Sequence, residues 1–268
     1  MNSADLVLVL IAAGAVALFA LWLWAVIDVL RQSEEEWQSA GESKVVWVVV
    51  VALLGVVGGI LYFWIAKPKL TGRVPAYRTV DLVTIATLGV ALGVAFWGWG
   101  KLYGAASVLS VFAFPPSAGL FGGGWLIAGV LGGLIIRRPG AALATEMVAA
   151  AVSALMPGNE WGMSVLVSGL LQGLGVELVF AAFMYRRFSL MVAALGGILA
   201  AAFESVYEWT NYYADWDLPY RLAHLGFFAL SGAVIAGVGG WALVQALAKT
   251  GVLDSFESGR EAAEAQES

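Results

Sequence analysis

Long apolar stretches recur along the chain, separated by short polar breaks. Each stretch is roughly 20 residues long, enough for a helix to cross a hydrocarbon core about 30 Å thick. The pattern predicts eight membrane-spanning helices, at residues 5–30, 44–66, 79–98, 118–136, 141–156, 162–185, 190–212 and 221–248. We therefore predict an all-α integral membrane protein.

One polar break divides the chain. Residues 67–78 are basic and contain Pro68, Pro75 and Gly72, so we expect a linker that cannot continue a helix. The linker separates a two-helix membrane hairpin, within 1–70, from a six-helix bundle at 71–252. Residues 253–268 are polar and acidic, and we predict a disordered cytoplasmic tail there.

Composition supports the membrane assignment and excludes several activities. Apolar residues make up 61% of the 268 residues, and charged residues only 12%. The chain has no Cys and one His, so we expect no metal site. No cytoplasmic domain is predicted that is large enough for catalysis, so we predict no catalytic residues, no cofactor and a protein that is not an enzyme. A P-loop for ATP is absent from the sequence, and the net charge of -5 argues against a nucleic-acid partner.

Basic residues indicate the orientation of the helices. Lys and Arg accumulate in cytoplasmic loops. In this chain they cluster in alternate loops, at Lys67, Lys69, Arg73 and Arg78, at Arg137 and Arg138, at Arg186 and Arg187, and at Lys249 and Arg260. We predict a multi-pass protein of the cell membrane with both termini cytoplasmic, which leaves Arg31, Lys44, Lys101 and Arg221 as exceptions outside.

Four glutamates lie within predicted membrane helices: Glu146, Glu177, Glu204 and Glu208. An ionisable side chain at the centre of such a helix costs about 2.5–3.5 kcal/mol on insertion scales, so these residues usually face a bundle interior and mark a functional site. Carboxylates at depth predict a ligand that offers hydrogen-bond donors or positive charge.

Helical spacing places these acids differently. Glu204, Tyr207 and Glu208 share one face in the outer half of the bilayer and should line a cavity, although Glu208 could instead be solvated at the interface. Glu146 lies at mid-depth on a strip of small residues; the alternative is a hydrogen bond to a neighbouring helix. Glu177 is rotated about 140° from Gln172 on a straight helix, so both reach one ligand only if the helix kinks.

Glu177 could otherwise pair with Arg186 or Arg187. Outer-side aromatic residues, including Tyr103, Trp125 and Trp161, are explained either by an interfacial belt or by a binding site. Aromatic faces above carboxylates suit a flat, cationic or donor-rich heterocycle. His224 is predicted to be a satisfied core histidine rather than a ligand contact.

Several stretches resemble the YkoE family of substrate-binding S components of energy-coupling factor (ECF) transporters. They are Gly119–Gly129, Arg137–Ala141 with Glu146, Asn159–Gly162, and Leu171–Phe180 with Tyr185–Arg187. The resemblance implies a six-helix bundle that captures hydroxymethylpyrimidine or thiamine from outside. Its partners would be a transmembrane coupling subunit, two cytoplasmic ATPases and the lipid bilayer.

We predict that the substrate is bound by Glu146, Gln172, Glu177, Glu204, Tyr207, Glu208, Trp125, Trp161 and Tyr103; of these, Trp125, Glu146, Trp161, Gln172 and Glu177 lie in the stretches that carry the resemblance. Such S components carry an Ala-x-x-x-Ala docking surface, which Ala91 and Ala95 match beside Gly89 and Gly93; ordinary intramolecular packing is the alternative.

Residues 1–66 resemble the short membrane segment that precedes phospholipase D-type enzymes, through Trp24, Asp28, Arg31, Lys44, Trp47, Gly55 and Tyr62. The catalytic H-x-K pattern of those enzymes is missing, so the hairpin is interpreted as an anchor or regulator. Two other functions remain open for the chain: a proton-coupled secondary transporter of a cationic heterocycle, and a non-transporting membrane scaffold.

Overall fold

The computed structural model describes residues 19, 22–71, 77–107 and 114–267. It divides the chain into two compact units, Met1–Ala76 and Tyr77–Ser268. The division falls six residues beyond the boundary expected at 70/71. Much of the predicted first span, 5–30, lies outside the described residues. We call the second unit the body.

In the first unit, short helices surround an aromatic core. Helix α1 covers 22–31, and the helices that follow are α2 (Glu34–Ser39), α3 (Lys44–Leu61) and α4 (Lys67–Leu70), with a π-helical turn at Tyr62–Ala66 between the last two. Ser33 begins α2 with a capping box, in which its hydroxyl accepts from the Glu36 amide and the Glu36 carboxylate accepts from the Ser33 amide. The expected linker is partly helical, because Pro68 lies in the first turn of α4, where a missing N–H costs nothing.

The prediction of one continuous helix at 44–66 is wrong, because the chain reverses direction at Gly55. Gly55 adopts φ 56° and ψ −128°, which breaks α3 and turns the chain back. The apolar helix that precedes the break, Lys44–Leu53, is only 10 residues long. A glycine supplies this backbone conformation because it lacks the Cβ that disfavours positive φ.

Helices also make up the described part of the body. In chain order they are α5 (Thr79–Ser107), α6 (Gly119–Gly122), α7 (Ile127–Ile136), α8 (Ala141–Leu155), α9 (Val165–Ala182), α10 (Leu190–Asn211), α11 (Leu218–Ser231), α12 (Gly240–Lys249) and α13 (Glu257–Glu267). A π-helical segment, Gly232–Gly239, joins α11 to α12.

Five stretches of the described residues are long and apolar enough to cross a membrane: Thr79–Ala105, Pro115–Ile136, Gly162–Ala182, Leu190–Asn211 and Leu218–Lys249. Helix α8, with 15 residues, is shorter than these. The all-helical membrane fold is thereby confirmed, while the number of crossings stays a prediction.

Glycines allow the body helices to pack backbone against backbone. A Cβ placed on Gly175 of α9 would lie 2.5 Å from the Ala200 Cα of α10. On the other side of α10, a Cβ on Gly197 would lie 2.1 Å from the Gly232 carbonyl oxygen. Small residues permit such approach in membrane bundles, where van der Waals packing replaces the hydrophobic effect between helices.

The predicted disordered tail is wrong, because 257–267 form helix α13. Leu253 and Phe256 are buried ahead of this helix, and Glu261 forms a 2.7 Å ion pair with Arg137. The polar composition of the tail predicts disorder, but two apolar side chains and one ion pair hold it against the body.

Two residues of the expected docking surface are buried inside the bundle. A Cβ on Gly89 would lie 2.6 Å from the Val148 Cβ of α8. A Cβ on Gly93 would lie 2.6 Å from the Ala149 carbonyl oxygen of the same helix. These two glycines therefore pack helices within the chain, which corrects the expectation that they dock a partner. Ala91 and Ala95 are exposed on another face of α5.

Candidate ligand-binding cavity

A cavity of about 240 Å³ lies within the body. Side chains from six of the predicted helices line it, and they range from Tyr212, which is 42% exposed, to Glu146, which is fully buried. Seven residues expected from the sequence line it: Tyr103, Trp125, Glu146, Trp161, Gln172, Glu204 and Glu208.

Aromatic rings form one wall of the cavity. The ring centroids of Trp125 and Trp161 are 5.5 Å apart, and Tyr103 lies 5.8 Å from Trp125 and 6.2 Å from Trp161. The Trp125 indole donates to the Phe96 carbonyl at 3.3 Å, which fixes its orientation. The wall offers π faces to a flat ligand.

A broken membrane helix brings Glu146 into the site. Residues Gly123–Trp125 form a 3₁₀ turn, after which α7 begins at Ile127 without a side-chain cap. The Gly129 amide, in the first turn of α7, therefore lacks an intrahelical acceptor. The Glu146 Oε2 atom of α8 accepts from it at 2.6 Å.

This bond leaves half of the Glu146 carboxyl group available. Its Oε1 atom is buried and has no hydrogen-bond partner among the described residues. Ser231 stabilises the same helix break. Its hydroxyl accepts from the Gly123 amide at 2.9 Å and donates to the Gly119 carbonyl at 2.8 Å. The interruption of one span thus creates both the cavity wall and an acceptor that faces it.

Glu204 of α10 faces the same space. It is 3% exposed, with Ser168 and Gln172 of α9 next to its carboxyl group. Its Oε2 atom is buried without a partner in the described part of the chain. Ser168, Gly169 and Gln172 recur at helical spacing, so one face of α9 lines the cavity.

A histidine and an acid meet near the opening. The Nε2 atom of His224 lies 3.2 Å from Oε2 of Glu208, whose side chain is 22% exposed. Tyr213 and Trp216 stack at 3.9 Å, and each ring centroid lies 5.5 Å from that of His224. The prediction of a satisfied core histidine is therefore incomplete, because His224 lines the cavity and its buried Nδ1 has no partner within the described ranges.

Glu177 does not reach the cavity. Helix α9 runs as one α-helix past Gly173 and Gly175, so the 140° rotation from Gln172 persists. The Glu177 carboxylate instead accepts from the amides of Gly140 at 2.6 Å, Ala142 at 3.0 Å and Leu143 at 3.2 Å, and from the Tyr185 hydroxyl at 2.6 Å. It caps the N-terminus of α8, where a negative charge is favourable, and the expected role in substrate binding is corrected.

Tyr207 also lies outside the lining. Tyr207 follows Glu204 by three residues and Glu208 follows it by four. On the helix the two side chains therefore lie on opposite sides of Glu204, about 100° apart. The cavity lies on the Glu208 side, while the Tyr207 ring packs at 90° against that of Tyr212, 6.2 Å away. Tyr207 positions Tyr212, which does line the cavity.

Sequence reasoning did not assign several lining residues to the site, among them Tyr212, Tyr213, His224 and Phe228. A signal existed for His224, since it and Ser231 are polar residues seven apart in an apolar helix, a spacing that places them on one face. For Tyr212 and Tyr213 the only signal was the crowding of aromatic residues after α10.

The lining can hold a ligand by acceptors, rings and one amide. Glu146 and Glu204 each present a carboxyl oxygen that has no partner in the described ranges, and Gln172 can both donate and accept. Among the described residues, no group of three His, Asp or Glu side chains could hold a metal ion. The site therefore suits an organic ligand that carries hydrogen-bond donors.

Comparisons with known proteins agree with this geometry. A family described as "ABC-type cobalt transport system, permease component" matches residues 80–203, and "Phospholipase_D-nuclease N-terminal" matches residues 20–67. The "Putative HMP/thiamine permease protein YkoE" of Bacillus subtilis (strain 168) is 33% identical over 190 residues, which cover 69% of this chain and 92% of that protein.

A solved structure shares the fold. A protein described as "Crystal structure of an S-component of ECF transporter" superposes with a TM-score of 0.66 at 32% identity, over 72% of this chain and 96% of that one. The relatives are transport proteins rather than enzymes. The segment at 20–67 is similar to the phospholipase D-nuclease N-terminal family, and the chain belongs to the YkoE family of substrate-binding S components of ECF transporters.

Proposed function

We propose that this S component captures hydroxymethylpyrimidine or thiamine from outside the cell and passes it to an ATP-driven ECF importer. The observation that carries the proposal is the cavity itself, in which carboxyl oxygens of Glu146 and Glu204 face aromatic rings without protein partners among the described residues. An acceptor-rich, ring-lined space of about 240 Å³ matches a small heterocycle with donors.

An aminopyrimidine ring fits the inner end. Its exocyclic amine can donate to Oε1 of Glu146, while a ring nitrogen accepts from the Gln172 amide. Both side chains are at least nine-tenths buried, so hydrogen bonds there are made away from water. Both proposed ligands contain this ring.

A cationic ring fits the outer end. Only thiamine carries a thiazolium, and we assign Glu204 and Glu208 to it, with the faces of Trp161 and Tyr213 beside them. Carboxylates and aromatic faces both attract a cation. The two ligands should therefore share the inner contacts and differ in the outer ones.

The proposed orientation places the opening outside. The Arg137, Arg138, Arg186 and Arg187 loops lie at the other ends of the helices from Tyr212, and such residues mark the cytoplasmic side. The carboxy-terminal helix α13 pairs with Arg137 and would be cytoplasmic as well.

The proposed partners are a transmembrane coupling subunit and two cytoplasmic ATPases. Ala91 and Ala95 offer a small-residue strip on an exposed face of α5, where another membrane helix could pack closely. We assign the docking of the coupling subunit to this strip.

Uptake of labelled thiamine and hydroxymethylpyrimidine tests the proposal. Cells that express the chain with a coupling subunit and ATPases should accumulate either ligand, and a catalytically dead ATPase should abolish accumulation. Uptake that survives the dead ATPase but collapses with an uncoupler would indicate a proton-coupled transporter. Absence of saturable binding by the purified protein would indicate a scaffold.

A further inference from the structure

We propose that residues 44–70 form a re-entrant element, which enters one leaflet of the membrane and returns to the side from which it came. The partner of its apolar outer surface would be the acyl chains of that single leaflet. The proposal concerns the N-terminal unit and is independent of the ligand assigned to the body.

Distances between the two arms require a fold-back. The ring centroids of Trp47 and Tyr62 are 6.3 Å apart, whereas 15 residues of straight helix would separate their backbones by about 22 Å. Near the end of the second arm, Lys67 pairs with Asp28 at 2.7 Å and Lys69 with Glu42 at 2.5 Å. Lys67 therefore contacts α1, and Lys69 contacts the loop just before Lys44, so the end of the second arm lies beside the start of the first.

The turn itself is built by glycines and by one indole. Gly55 has the positive φ that reverses the chain, and a Cβ on Gly58 would lie 2.2 Å from the Val50 carbonyl oxygen. Val51 belongs to the last turn before the break, where carbonyls lose their intrahelical donors. The Trp22 indole donates to the Val51 carbonyl at 3.0 Å, which satisfies one of them within the membrane.

A polar cluster closes the base of the element. The Asp28 carboxylate binds Lys67 and also accepts from the Tyr62 hydroxyl. Glu42 accepts from Lys69 and from the Trp47 indole, the latter at 2.9 Å. The Asp28 and Glu42 carboxylates are only 18% and 20% exposed, and their pairs join α1, the loop and both arms into one unit.

The length and exposed face of the first arm fit one leaflet. Residues 44–54 span about 16 Å as a helix, roughly half of a 30 Å hydrocarbon core. Four large apolar side chains of this arm are exposed: Val45 at 71%, Val46 at 55%, Val49 at 47% and Leu53 at 79%. Charged residues stay at the base, so the arm has an apolar tip and a polar rim.

This course removes an anomaly in the charge pattern. With a crossing at 44–66, Arg31 and Lys44 lie outside although Lys67 and Lys69 lie inside. With a re-entrant element all four lie on one side, as basic loop residues do in the cytoplasm. Together with the crossing that the sequence predicts at 5–30, the proposal places the amino terminus outside, in place of the cytoplasmic location expected from eight crossings.

Cysteine labelling of the full chain tests the proposal, since the natural sequence contains no cysteine. Ser39 and Thr71 are exposed at the two ends of the element, and Leu53 lies near its tip. Ser39→Cys and Thr71→Cys should both escape a membrane-impermeant maleimide in intact cells, and both should react with it in inside-out vesicles. Leu53→Cys should stay unlabelled until the membrane is dissolved.

Asp215→Cys and Arg187→Cys, at opposite ends of α10, show that the reagent distinguishes the two sides. Labelling of Ser39→Cys and Thr71→Cys from opposite sides would overturn the proposal. A second experiment opens the fold-back. Gly58→Leu should separate the two arms and so expose a Trp47→Cys thiol to the reagent. A Trp47→Cys chain labelled equally with and without Gly58→Leu would argue against it.

Discussion

At the residue scale, helix ends explain two of the four glutamates that lie within predicted membrane helices. Glu146 satisfies an amide in the first turn of α7, and Glu177 satisfies three amides around the start of α8. Since the first-turn amides of a helix carry partial positive charge, an acid there is stabilised even at depth. What separates the two is the second oxygen, which in Glu146 faces the cavity and in Glu177 is fully bonded.

We predict that Glu146→Gln weakens binding of both thiamine and hydroxymethylpyrimidine. Its amide oxygen can still accept from Gly129, but its NH₂ group then faces the ligand in place of an acceptor. Loss of a hydrogen bond to a charged group costs about 1.5–3 kcal/mol, or roughly 10- to 150-fold in Kd. Calorimetric titration of the purified protein measures the change.

Glu177→Gln is the matched control. Because it caps α8 away from the cavity, the change should lower the melting temperature while the folded fraction keeps its affinity. Equal loss of affinity in both variants would contradict the division of roles between the two acids.

A second prediction separates the two ligands. Glu208→Gln should weaken thiamine binding by a few fold and leave hydroxymethylpyrimidine binding unchanged, because only thiamine places a cation near this acid. The factor is small because Glu208 is partly exposed, and such charge pairs contribute up to about 1 kcal/mol. Parallel competition curves give the ratio, and an equal effect on both ligands would place the thiazolium elsewhere.

Angles on single helices explain which site residues the sequence could identify. The 140° rotation already set Glu177 apart from Gln172, and the straight helix α9 preserves it. Tyr207 was grouped with Glu204 because helical spacing shows which residues share a face of the helix. It does not show which part of that face lines the cavity. His224 escaped because its partner, Glu208, is on another helix, and pairing across helices leaves no local pattern.

At the element scale, membrane helices follow from long apolar runs, but breaks within them do not. The runs at 118–136 and 221–248 read as uniform, yet the first is interrupted at Gly123–Trp125 and the second contains a π-segment. Both breaks are stabilised by contacts with other parts of the chain, such as Ser231 with Gly123. A sequence read one helix at a time cannot supply those contacts.

Close packing of α9 on α10 predicts a position-specific effect of one methyl group. Gly175→Ala places its Cβ 2.5 Å from a backbone atom of Ala200, and the helices must separate, at a cost of about 1–3 kcal/mol. Gly226→Ala, in α11, meets no atom within 4 Å. Melting temperatures in detergent should fall for the first variant only; an equal fall in both would mean that helix packing is not what Gly175 provides.

Helix α13 predicts a dependence on pH at the carboxy terminus. The hydrogen bond and charge of Arg137 hold the pKa of Glu261 below its ordinary value of 4.5. The contribution of this pair to docking is therefore full above about pH 4.5 and is lost as the pH falls through the lowered pKa. Glu261→Gln should raise amide exchange of 257–267 at neutral pH and abolish its dependence on acid, with Glu264→Gln as the control.

At the scale of the whole molecule, the family was predictable from the sequence, while the course of the first unit was not. The specific stretches of the body carry the family, and relatives at 33% and 32% identity confirm it. The fold-back at Gly55 depends on Asp28, Glu42 and Trp22, which are distant in sequence from the residues they bind. Hydropathy over 44–66 contains none of that information.

We propose that the cavity between Glu146 and His224 binds an aminopyrimidine. Titration of the detergent-purified protein with thiamine and with hydroxymethylpyrimidine, followed by quenching of Trp fluorescence, tests it most directly because Trp125 and Trp161 line the cavity. We predict saturable quenching with the wild-type protein and a large loss of affinity with Glu146→Gln. Quenching that never saturates, or that Glu146→Gln leaves unchanged, would contradict the account.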